Sequence, residues 1–446
     1  MDQAGHSERL VAAVGAGDAE EIGRLLYEGA GPDTPGTDGL PVLCAAVAAH
    51  DARAADALMQ GGADPDHPLP DGSTPLLRAI AGGSYAVFME VRGKDPALRL
   101  RGPAGERALA TAREADRRCR TAPPGPRTVV QDGTWGQVEE LVLDGRTVRA
   151  GHPAILTELE RALGVRTPFG ELADRAAARH DPDHVDWWSA LHVVIGRHDR
   201  STRDAVAALT HHPDPYHRRF AAEVLRCQTL FEDEADTPYA EENSALLARW
   251  AAEEAHPGVL ADVLFAWASE HEHPDLVATG LRYADHPDPA VRAAVPGCLA
   301  EAALTPVPRG ALLGLSRDPS AEVRRTVAAV LGRAHDGSPD VRAALVALAR
   351  DPDAEVRRSA AECLAESADH APEIADALAD LRDPEHQTAR LVAAYGLMLR
   401  EDPRTPEAVG RIGDDRTDIW WDHRWDRVWE WDRNRRQRES SASAEQ

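Results

Sequence analysis

The sequence contains almost no lysine and no recognisable catalytic motif. Lys94 is the only lysine among 446 residues, and nearly all of the 50 basic residues are arginines. Schiff-base chemistry or a P-loop would have to use Lys94, but its context, Gly93-Lys94-Asp95, lacks the earlier glycine and the following hydroxyl of that loop. No GxSxG, HExxH, Rossmann GxGxxG or Cys/His nucleophile signature occurs either. We therefore expect a non-enzymatic protein without a cofactor.

Cysteine is scarce, and no apolar run is long enough for a membrane helix. The five cysteines are odd in number and form no CxxC pair, so we expect small buried hydrophobes in a reducing compartment. No stretch approaches the ~18 uninterrupted apolar residues that a membrane span requires. The first ten residues, MDQAGHSERL, lack the basic and apolar regions of a signal peptide. We expect a cytoplasmic protein with no membrane segment.

Negative charge dominates the composition. The net charge is −25. Such a surface repels DNA, RNA and anionic membranes unless a local basic stripe overrides the average, so a nucleic-acid partner is disfavoured. Aromatic residues make up only 5%, while 34 glycines and 32 prolines punctuate the chain. This mixture is typical of short, closely packed helices separated by many turns.

Two groups of histidines beside acidic residues raise the question of a metal site. They are His180, Asp181, Asp183 and His184, and His271, Glu272 and His273. Pro182 and Pro274 place these residues in turns rather than on one helical face, and neither group supplies the closely spaced Cys and His ligands of a zinc site. We interpret them as turn and capping residues and expect no bound metal.

The first third of the sequence repeats with a period of 33. Asp38-Gly39 recurs as Asp71-Gly72, and Leu25–Asp33 recurs as Leu58–Asp66. Each unit predicts a turn, a short apolar helix, a loop, and a second helix that ends at glycine, where the chain must enter a left-handed conformation.

These repeats resemble the ankyrin family. Thr74–Ala79, TPLLRA, matches the family signature T-P-L-H-x-A except that leucine replaces the histidine, and Pro41–Ala46 is a weaker copy. The resemblance covers about residues 5–103. It implies a stack of helix pairs and a generic protein-binding surface rather than a catalytic activity.

A proline-rich segment suggests a boundary between two modules. The predicted organisation is an ankyrin domain at 1–118, a linker at 119–127, a helical solenoid at 128–413, a Trp-rich capping helix at 414–436 and a disordered tail at 437–446. Successive prolines within 119–127 forbid helix there. The solenoid begins with a predicted hairpin, in which Val138–Val142 and Thr147–Arg149 flank an Asp-Gly turn.

A second repeat occupies the remainder of the chain. Each copy has a turn in which aspartate or histidine precedes proline, and a helix follows, with Val-Arg in its first turn in the clearest copies. Near the C-terminal end the copies are 32 or 33 residues apart. The copies begin at His212, His286, Asp318 and Asp351, with looser ones at Asp181 and Asp383. An acidic run at 232–236 interrupts the series as a predicted exposed loop.

This pattern resembles HEAT-like repeats, including the short form named after bilin lyases. The resemblance covers about residues 150–413. It implies an all-α solenoid of helical hairpins, since one hairpin cannot bury its apolar face alone. In such solenoids the second helix of each hairpin lines the concave side. The predicted fold class is therefore all-α, with a possible small hairpin at the junction.

Three arginines at one repeat position are candidate partner-binding residues. Arg219, Arg325 and Arg358 each follow the Val-Arg or equivalent arginine of their repeat, so they could form a basic stripe on the concave side. The alternative is structural. Val-Arg arginines such as Arg324 could pair with the turn aspartate six residues earlier, Asp318, while glutamates three residues before Arg325 and Arg358 neutralise these two.

The C-terminal segment is rich in tryptophan. Trp421, Trp425 and Trp429 recur every four residues with charged residues between them, which predicts an amphipathic helix over 418–436. The last hairpin of a repeat array has no neighbour, so we interpret the helix as a cap over its apolar edge. Trp420 and Trp431 lie off the stripe and are the candidates for contact with a partner.

The leading functional hypothesis is a protein-interaction scaffold with a partner that could be acidic. The main alternative is a nucleic-acid binder or an enzyme. Some HEAT-like solenoids similar to this one are DNA glycosylases, in which Trp187, Trp188 and Arg219 could be given roles, although no glycosylase motif is present. A bilin lyase would rest on the repeat name alone.

Overall fold

The computed structural model describes residues 3–94, 96–122, 125–230, 239–269, 273–381, 386–413, 419 and 421–444. It shows an all-α tandem-repeat fold with one small sheet, as the sequence predicts. None of the helices within these ranges is long and apolar enough to span a membrane. The acidic run at 232–236, the repeat start at Asp383, and His271, Glu272 and Trp420 lie outside the described residues.

The chain divides into two compact units, Met1–Val224 and Leu225–Gln446. The helices and strands of the first unit are α1 (Gln3–Ala16), α2 (Ala19–Tyr27), α3 (Val42–Ala48), α4 (Ala52–Gln60), α5 (Pro75–Gly82), α6 (Tyr85–Val91), α7 (Pro96–Arg99), α8 (Pro103–Arg120), β1 (Thr128–Gln131), β2 (Gln137–Leu143), β3 (Arg146–Arg149), α9 (His152–Ala162), α10 (Phe169–Ala177), α11 (Val185–Ile195), α12 (Arg200–Leu209) and α13 (Pro215–Leu230), within which the division falls.

The second unit continues as helical hairpins. Its helices are α14 (Ala240–Glu253), α15 (Pro257–Ser269), α16 (Leu276–Tyr283), α17 (Pro289–Leu299) with a 3-10 turn at Ala300–Ala302, α18 (Pro306–Leu315), α19 (Ala321–Ala334), α20 (Pro339–Leu348), α21 (Ala354–Glu366), α22 (Pro372–Asp380), α23 (Gln387–Leu399), α24 (Thr405–Gly410) and α25 (His423–Ala444).

The 33-residue period of the first unit reappears in its turns. Gly17, His50 and Gly83 are all left-handed, with φ of 70°, 53° and 74°. The next residue in each copy caps the second helix of a pair, because its side chain accepts a hydrogen bond from a backbone amide three residues on. These capping residues are Asp18, Asp51 and Ser84. The structure thus confirms the predicted helix pairs, while their assignment to the ankyrin family stays a prediction.

The sheet has three antiparallel strands in the order β1-β2-β3. The predicted hairpin forms β2 and β3, and its two turn residues, Asp144 and Gly145, are both left-handed with φ of 50° and 76°. This conformation matches the right-handed twist of the flanking strands. β1 was not predicted, since 128–131 follows the prolines and shows no alternation of its own.

The predicted separation of modules at 119–127 is wrong. One core cluster contains both Leu76 of the repeats and Val138 of the sheet, and extends to Val185. Backbone hydrogen bonding also crosses the segment, since the Gly151 amide donates to the Gly83 carbonyl at 3.1 Å. α8 ends at Arg120, Pro123 and Pro124 lie outside the described residues, and the parts on either side share a core because β2 packs on the repeats.

Asp132 joins the sheet to the repeats from a fully buried position. Its Oδ1 accepts a hydrogen bond from the Ser84 hydroxyl at 2.6 Å, and its Oδ2 accepts one from the Ala86 amide at 3.0 Å. Arg149 of β3 donates to the same carboxylate at 2.6 Å. Burial of this charge is tolerated because both oxygens of the carboxylate accept hydrogen bonds and one pairs with a guanidinium.

Gly83 is required where the repeats meet the sheet. A Cβ at this position would lie 1.8 Å from the Arg149 carbonyl oxygen and 2.5 Å from the His152 ring, and the residue's φ is 74°. Both the space and the backbone conformation therefore exclude any other residue.

The second helices of the hairpins form the inner layer of the second unit. α15, α17, α19, α21 and α23 each pack closely on the next, whereas the first helices α16, α18, α20 and α22 make far fewer contacts with one another. Their shared core extends from Ala293 to Val428. The second helices therefore present one continuous face, as the repeat pattern predicts.

The C-terminal helix occupies the predicted capping position but buries a different stripe. α25 packs on α23, and Val428 is fully buried in the core, with Trp425 packed against it. Trp421 and Trp429 are 71% and 44% exposed, so the predicted burial of these two is wrong. α25 begins at His423, so Trp421 lies before the helix, and within the helix Val428 rather than its neighbour Trp429 faces the core.

The residues after 436 also differ from the prediction. α25 continues to Ala444, through most of the segment that was predicted to be a disordered tail.

Candidate protein-interaction surface

The Val-Arg arginines connect neighbouring repeats through forked ion pairs. Arg292 donates to Asp318 at 2.7 Å from Nε and 2.9 Å from Nη2, and Arg324 donates to Asp351 at 2.7 and 2.8 Å. Each aspartate belongs to the turn of the following repeat. The predicted ion pair within one repeat, between Arg324 and Asp318, is therefore wrong in its partner.

A second contact made by each arginine explains why the six-residue spacing exists. Nη1 of Arg324 donates to the backbone carbonyls of Asp318 and Pro319, at 2.8 and 3.1 Å. Arg292 and Arg357 do the same in their own turns. The arginine thus closes its own turn through the backbone and binds the next turn through the carboxylate.

The ion pairs Arg292–Asp318 and Arg324–Asp351, which we call the Arg–Asp ladder, are mostly shielded from solvent. The side chains of Arg292 and Asp318 are 13% and 6% exposed. The hydrogen bond from Arg292 lowers the pKa of Asp318 below its usual value, and Asp318 raises the pKa of Arg292 in return. Arg292 and Arg324 are therefore paired within the fold.

Arg358, one of the three candidate residues, is neutralised on its own helix. It donates to Glu355 at 2.5 Å and to Glu362 at 3.0 Å, and about a third of its side chain is exposed. The hydrogen bond from Arg358 lowers the pKa of Glu355, with a smaller contribution from Arg325. The predicted neutralisation by the glutamate three residues earlier is thus observed for Arg358.

Arg325 behaves differently. It is exposed on α19, and among the residues that the structure describes no carboxylate forms an ion pair with it. Two turns further along α19, Arg333 is exposed and likewise has no such pair within the described ranges. The two are separated by eight residues, about 12 Å along a helix. We call Arg325, Ala329 and Arg333 the α19 face.

Arg333 was not singled out from the sequence. The repeat alignment drew attention to the Val-Arg-Arg segment at the start of the helix, whereas Arg333 lies near its end. The available signal was its i+8 spacing from Arg325, which places both on one side of a helix.

A groove of about 660 Å³ adjoins the α19 face. Its wall is built mainly from small or apolar residues of the second helices α15, α17 and α19 and of the start of first helix α16, with Glu301, Arg333 and His273 as its polar members that can carry charge. It includes Phe265 and Ala268 of α15, Ala293 and Gly297 of α17, and Thr326 and Ala329 of α19. The groove thus has an apolar floor, and beside it lie Arg325 and Arg333, which form no ion pair with the described residues.

Arg219, the third candidate, lies in the first compact unit on α13. Its guanidinium carbon is 5.8 Å from the centroid of the Tyr216 ring, within cation–π range. Nearby, His217 bridges Asp214 and Asp174 at 2.8 and 3.0 Å. Arg219 therefore belongs to a polar cluster of its own turn.

The residues that could support a nucleic-acid or glycosylase role are divided between core and surface. Trp187 is only 2% exposed, and its indole nitrogen donates to Glu223 at 2.6 Å. It also packs edge-on against Phe220. Trp188 is 47% exposed. Trp187 is therefore a core residue that cannot stack on a base without local unfolding.

The histidine-acid groups serve as turns and caps where they are described. His184 accepts a hydrogen bond from the Asp186 amide at the start of α11, and His180 stacks on Tyr216. Within the described ranges there is no group of three or more His, Cys, Asp or Glu residues placed to hold a metal ion.

One cysteine and one histidine approach each other in the first unit. Cys119 Sγ lies 3.6 Å from His152 Nδ1, and both residues are buried. Burial raises the pKa of the Cys119 thiol and lowers the pKa of His152. The pair is therefore held neutral, whereas a nucleophilic cysteine needs a stabilised thiolate.

Comparison with known proteins identifies part of the second unit. A family model described as HEAT repeats matches residues 308–398. The chain carries HEAT-like repeats in this segment. It contains α19 and α21, and therefore both Arg325 and Arg358.

Comparisons over longer stretches add less. A search of curated proteins found no match. Among solved structures, the X-ray structure of YibA from Escherichia coli aligns with a TM-score of 0.41 and 16% identity, over 55% of this chain and 92% of that chain.

Proposed function

We propose that this protein is a protein-interaction scaffold, and that the α19 face holds an acidic segment of a partner protein. The observation that carries the proposal is the pair of exposed arginines, Arg325 and Arg333, without ion pairs among the described residues, beside an apolar groove. The HEAT-like repeats around them support it, since such repeats generally serve as interaction surfaces.

The charge pattern favours an acidic partner over a basic one. In a chain with a net charge of −25 most of the surface repels an acidic segment, so two exposed arginines without ion pairs among the described residues give such a segment a place to bind, and neighbouring Arg358 is already neutralised. Two arginines about 12 Å apart along the helix axis suit carboxylates spaced along an extended or helical segment. Apolar side chains of the same segment would enter the groove and provide most of the affinity.

We further propose that the protein acts without catalysis. The Cys119–His152 pair supports this, because burial raises the pKa of the Cys119 thiol and so disfavours the thiolate that nucleophilic attack requires. The net negative charge and the burial of Trp187 argue against the nucleic-acid alternative.

The test is affinity capture from the native host with the tagged full chain. The variant is Arg325→Glu with Arg333→Glu, and the control is Arg317→Glu with Arg350→Glu, which makes the same change of charge on exposed arginines at the ends of first helices. A partner should be retained by wild type and control but reduced more than tenfold by the variant. The captured protein, once purified, should bind with the same ranking in calorimetry.

Two results would contradict the proposal. One is that the Arg325/Arg333 variant retains the partner as well as the Arg317/Arg350 control does. The other is loss of all captured species after nuclease treatment, which would favour the nucleic-acid alternative.

A further inference from the structure

A pocket of about 720 Å³ lies in the first unit, between the repeats and the sheet. One wall comes from α3 and α5, another from α8, and the third from the β2–β3 hairpin, so segments about a hundred residues apart converge on it. We call it the hairpin pocket. It is separate from the α19 face and does not depend on the scaffold proposal.

The inner wall of the hairpin pocket is apolar. Val47 and Ala48 of α3, Ala81 of α5, and Leu143 and Val148 of the hairpin line it. Two thiols, Cys44 of α3 and Cys119 of α8, also line the pocket at 4% and 3% exposure. A volume in this range fits a small organic molecule, and a mainly apolar lining is typical of such sites.

His50 fixes the hairpin over the pocket. Its Nε2 lies 3.3 Å from the Thr147 carbonyl oxygen, although the two residues are 97 positions apart. Burial, together with nearby Arg149, lowers the pKa of His50, so the ring is neutral near pH 7. The positive charge at the pocket therefore comes from its arginines.

Three arginines stand around the mouth of the pocket. Arg78 pairs with Asp71, and Arg118 pairs with Asp144 of the hairpin turn. The third, Arg146, is exposed, and within the part of the chain that the structure describes it has no ion pair. The mouth of the pocket therefore has one guanidinium that forms no ion pair with the described residues, and it lies beside an apolar interior.

We propose that the hairpin pocket binds a small amphipathic anion, with its apolar body against Val47, Ala81 and Val148 and its carboxylate, sulfonate or phosphate group at Arg146. A guanidinium is suited to such groups because it offers parallel N–H donors. An uncharged ligand of the same shape would leave Arg146 in water and bind less tightly.

The experiment uses 8-anilinonaphthalene-1-sulfonate as the probe and uncharged N-phenyl-1-naphthylamine as its analogue. Both are titrated by fluorescence into the full-length protein. Ala48 is exposed on the pocket wall, so Ala48→Trp fills the pocket without disturbing the core, and Ala49→Trp places the same side chain outside it. Thr147→Trp fills the pocket from the opposite wall, and thermal melts verify the folding of each variant.

The sulfonate should lose at least tenfold in affinity with Ala48→Trp and Thr147→Trp, and less than twofold with Ala49→Trp. Arg146→Gln should weaken the sulfonate about fivefold and the uncharged analogue less than twofold, whereas Arg107→Gln, the same charge change on exposed α8, should affect neither. Unchanged sulfonate affinity in both filled variants would overturn the pocket. Equal effects of Arg146→Gln on the two probes would overturn the anionic requirement.

Discussion

Arg324 and Asp351 lie 27 residues apart and join two repeats through hydrogen bonds of 2.7 and 2.8 Å between one guanidinium edge and one carboxylate. The same arginine closes its own turn with a third nitrogen. One side chain therefore sets both the shape of a repeat and its position on the next. The rigidity of the inner layer, on which any interaction surface depends, follows from this arrangement.

Replacing Arg324 by methionine should destabilise the second unit by about 2–3 kcal/mol, because charged hydrogen bonds are lost and Asp351 stays partly buried without its partner. Arg350→Met removes an arginine whose ion pair with Asp380 is largely exposed, so its effect should stay below about 0.5 kcal/mol. Urea unfolding followed by circular dichroism measures both. Equal shifts of the unfolding midpoint would contradict a structural role for the ladder.

Acid should weaken the same ladder. The pKa of Asp318 is lowered in the folded state, so its contribution to stability is present above the unfolded pKa near 3.9 and is lost as pH falls through the folded value. The urea midpoint of wild type should therefore fall between pH 5 and pH 2. Arg292→Met should show a smaller fall, since Asp318 then titrates closer to its ordinary pKa. An identical pH dependence of the two proteins would remove Asp318 from the explanation.

Asp132→Ala should separate the sheet from the repeats and lower the melting temperature of the first unit, at a cost of about 3–5 kcal/mol, because the buried Ser84 hydroxyl and Ala86 amide lose their acceptor and Arg149 keeps only the longer contact with Glu140. Adding Arg149→Met should restore part of that loss by removing a guanidinium that has lost its closer partner. Differential scanning calorimetry of the single and double variants gives the comparison. A double variant no more stable than Asp132→Ala would show that Glu140 alone suffices for Arg149.

Substitution of Val428 by aspartate should detach α25, since it places a charge in the fully buried contact with the core. We expect a large fall in melting temperature and self-association through the uncovered edge of the last hairpin. Trp421→Ala, at a residue that is 71% exposed, is the matched control and should change stability by less than about 0.5 kcal/mol. If light scattering and thermal melts show the same association state and melting temperature for Val428→Asp and Trp421→Ala, the capping role is contradicted.

Local turn chemistry made the repeat boundaries predictable. The glycine predicted at the end of the second helix of each pair is a signal carried within a few residues, and Gly29 and Gly62, just after α2 and α4, are left-handed with φ of 99° and 90°. The Val-Arg pattern similarly predicted the helical hairpins of the second unit. Both depend on contacts within one repeat.

Contacts between distant segments were not predictable in the same way. The buried position of Asp132 depends on Ser84, which is 48 residues away, and no periodicity connects the two. The proline-rich segment was therefore interpreted as a boundary although the core continues across it. The partner of Arg324 was misassigned for the same reason, because the stacking of repeats brings Asp351 closer than the carboxylate of its own turn.

The binding role of the three candidate arginines stays a prediction. Arg325 is exposed, Arg358 is neutralised by its neighbours, and Arg333 was not singled out from the sequence. Sequence spacing gives the side of a helix on which a residue lies. Whether its charge is free depends on side-chain geometry that spacing does not determine.

The most direct test of the interaction surface is photo-crosslinking in the native host. Benzoylphenylalanine replaces Ala329, between Arg325 and Arg333, or Ala347, which is exposed on first helix α20. We predict a crosslinked protein at position 329 but not at 347, with the crosslink mapping to a segment rich in aspartate and glutamate. Crosslinks at 347 alone, or a mapped segment without acidic residues, would contradict the account.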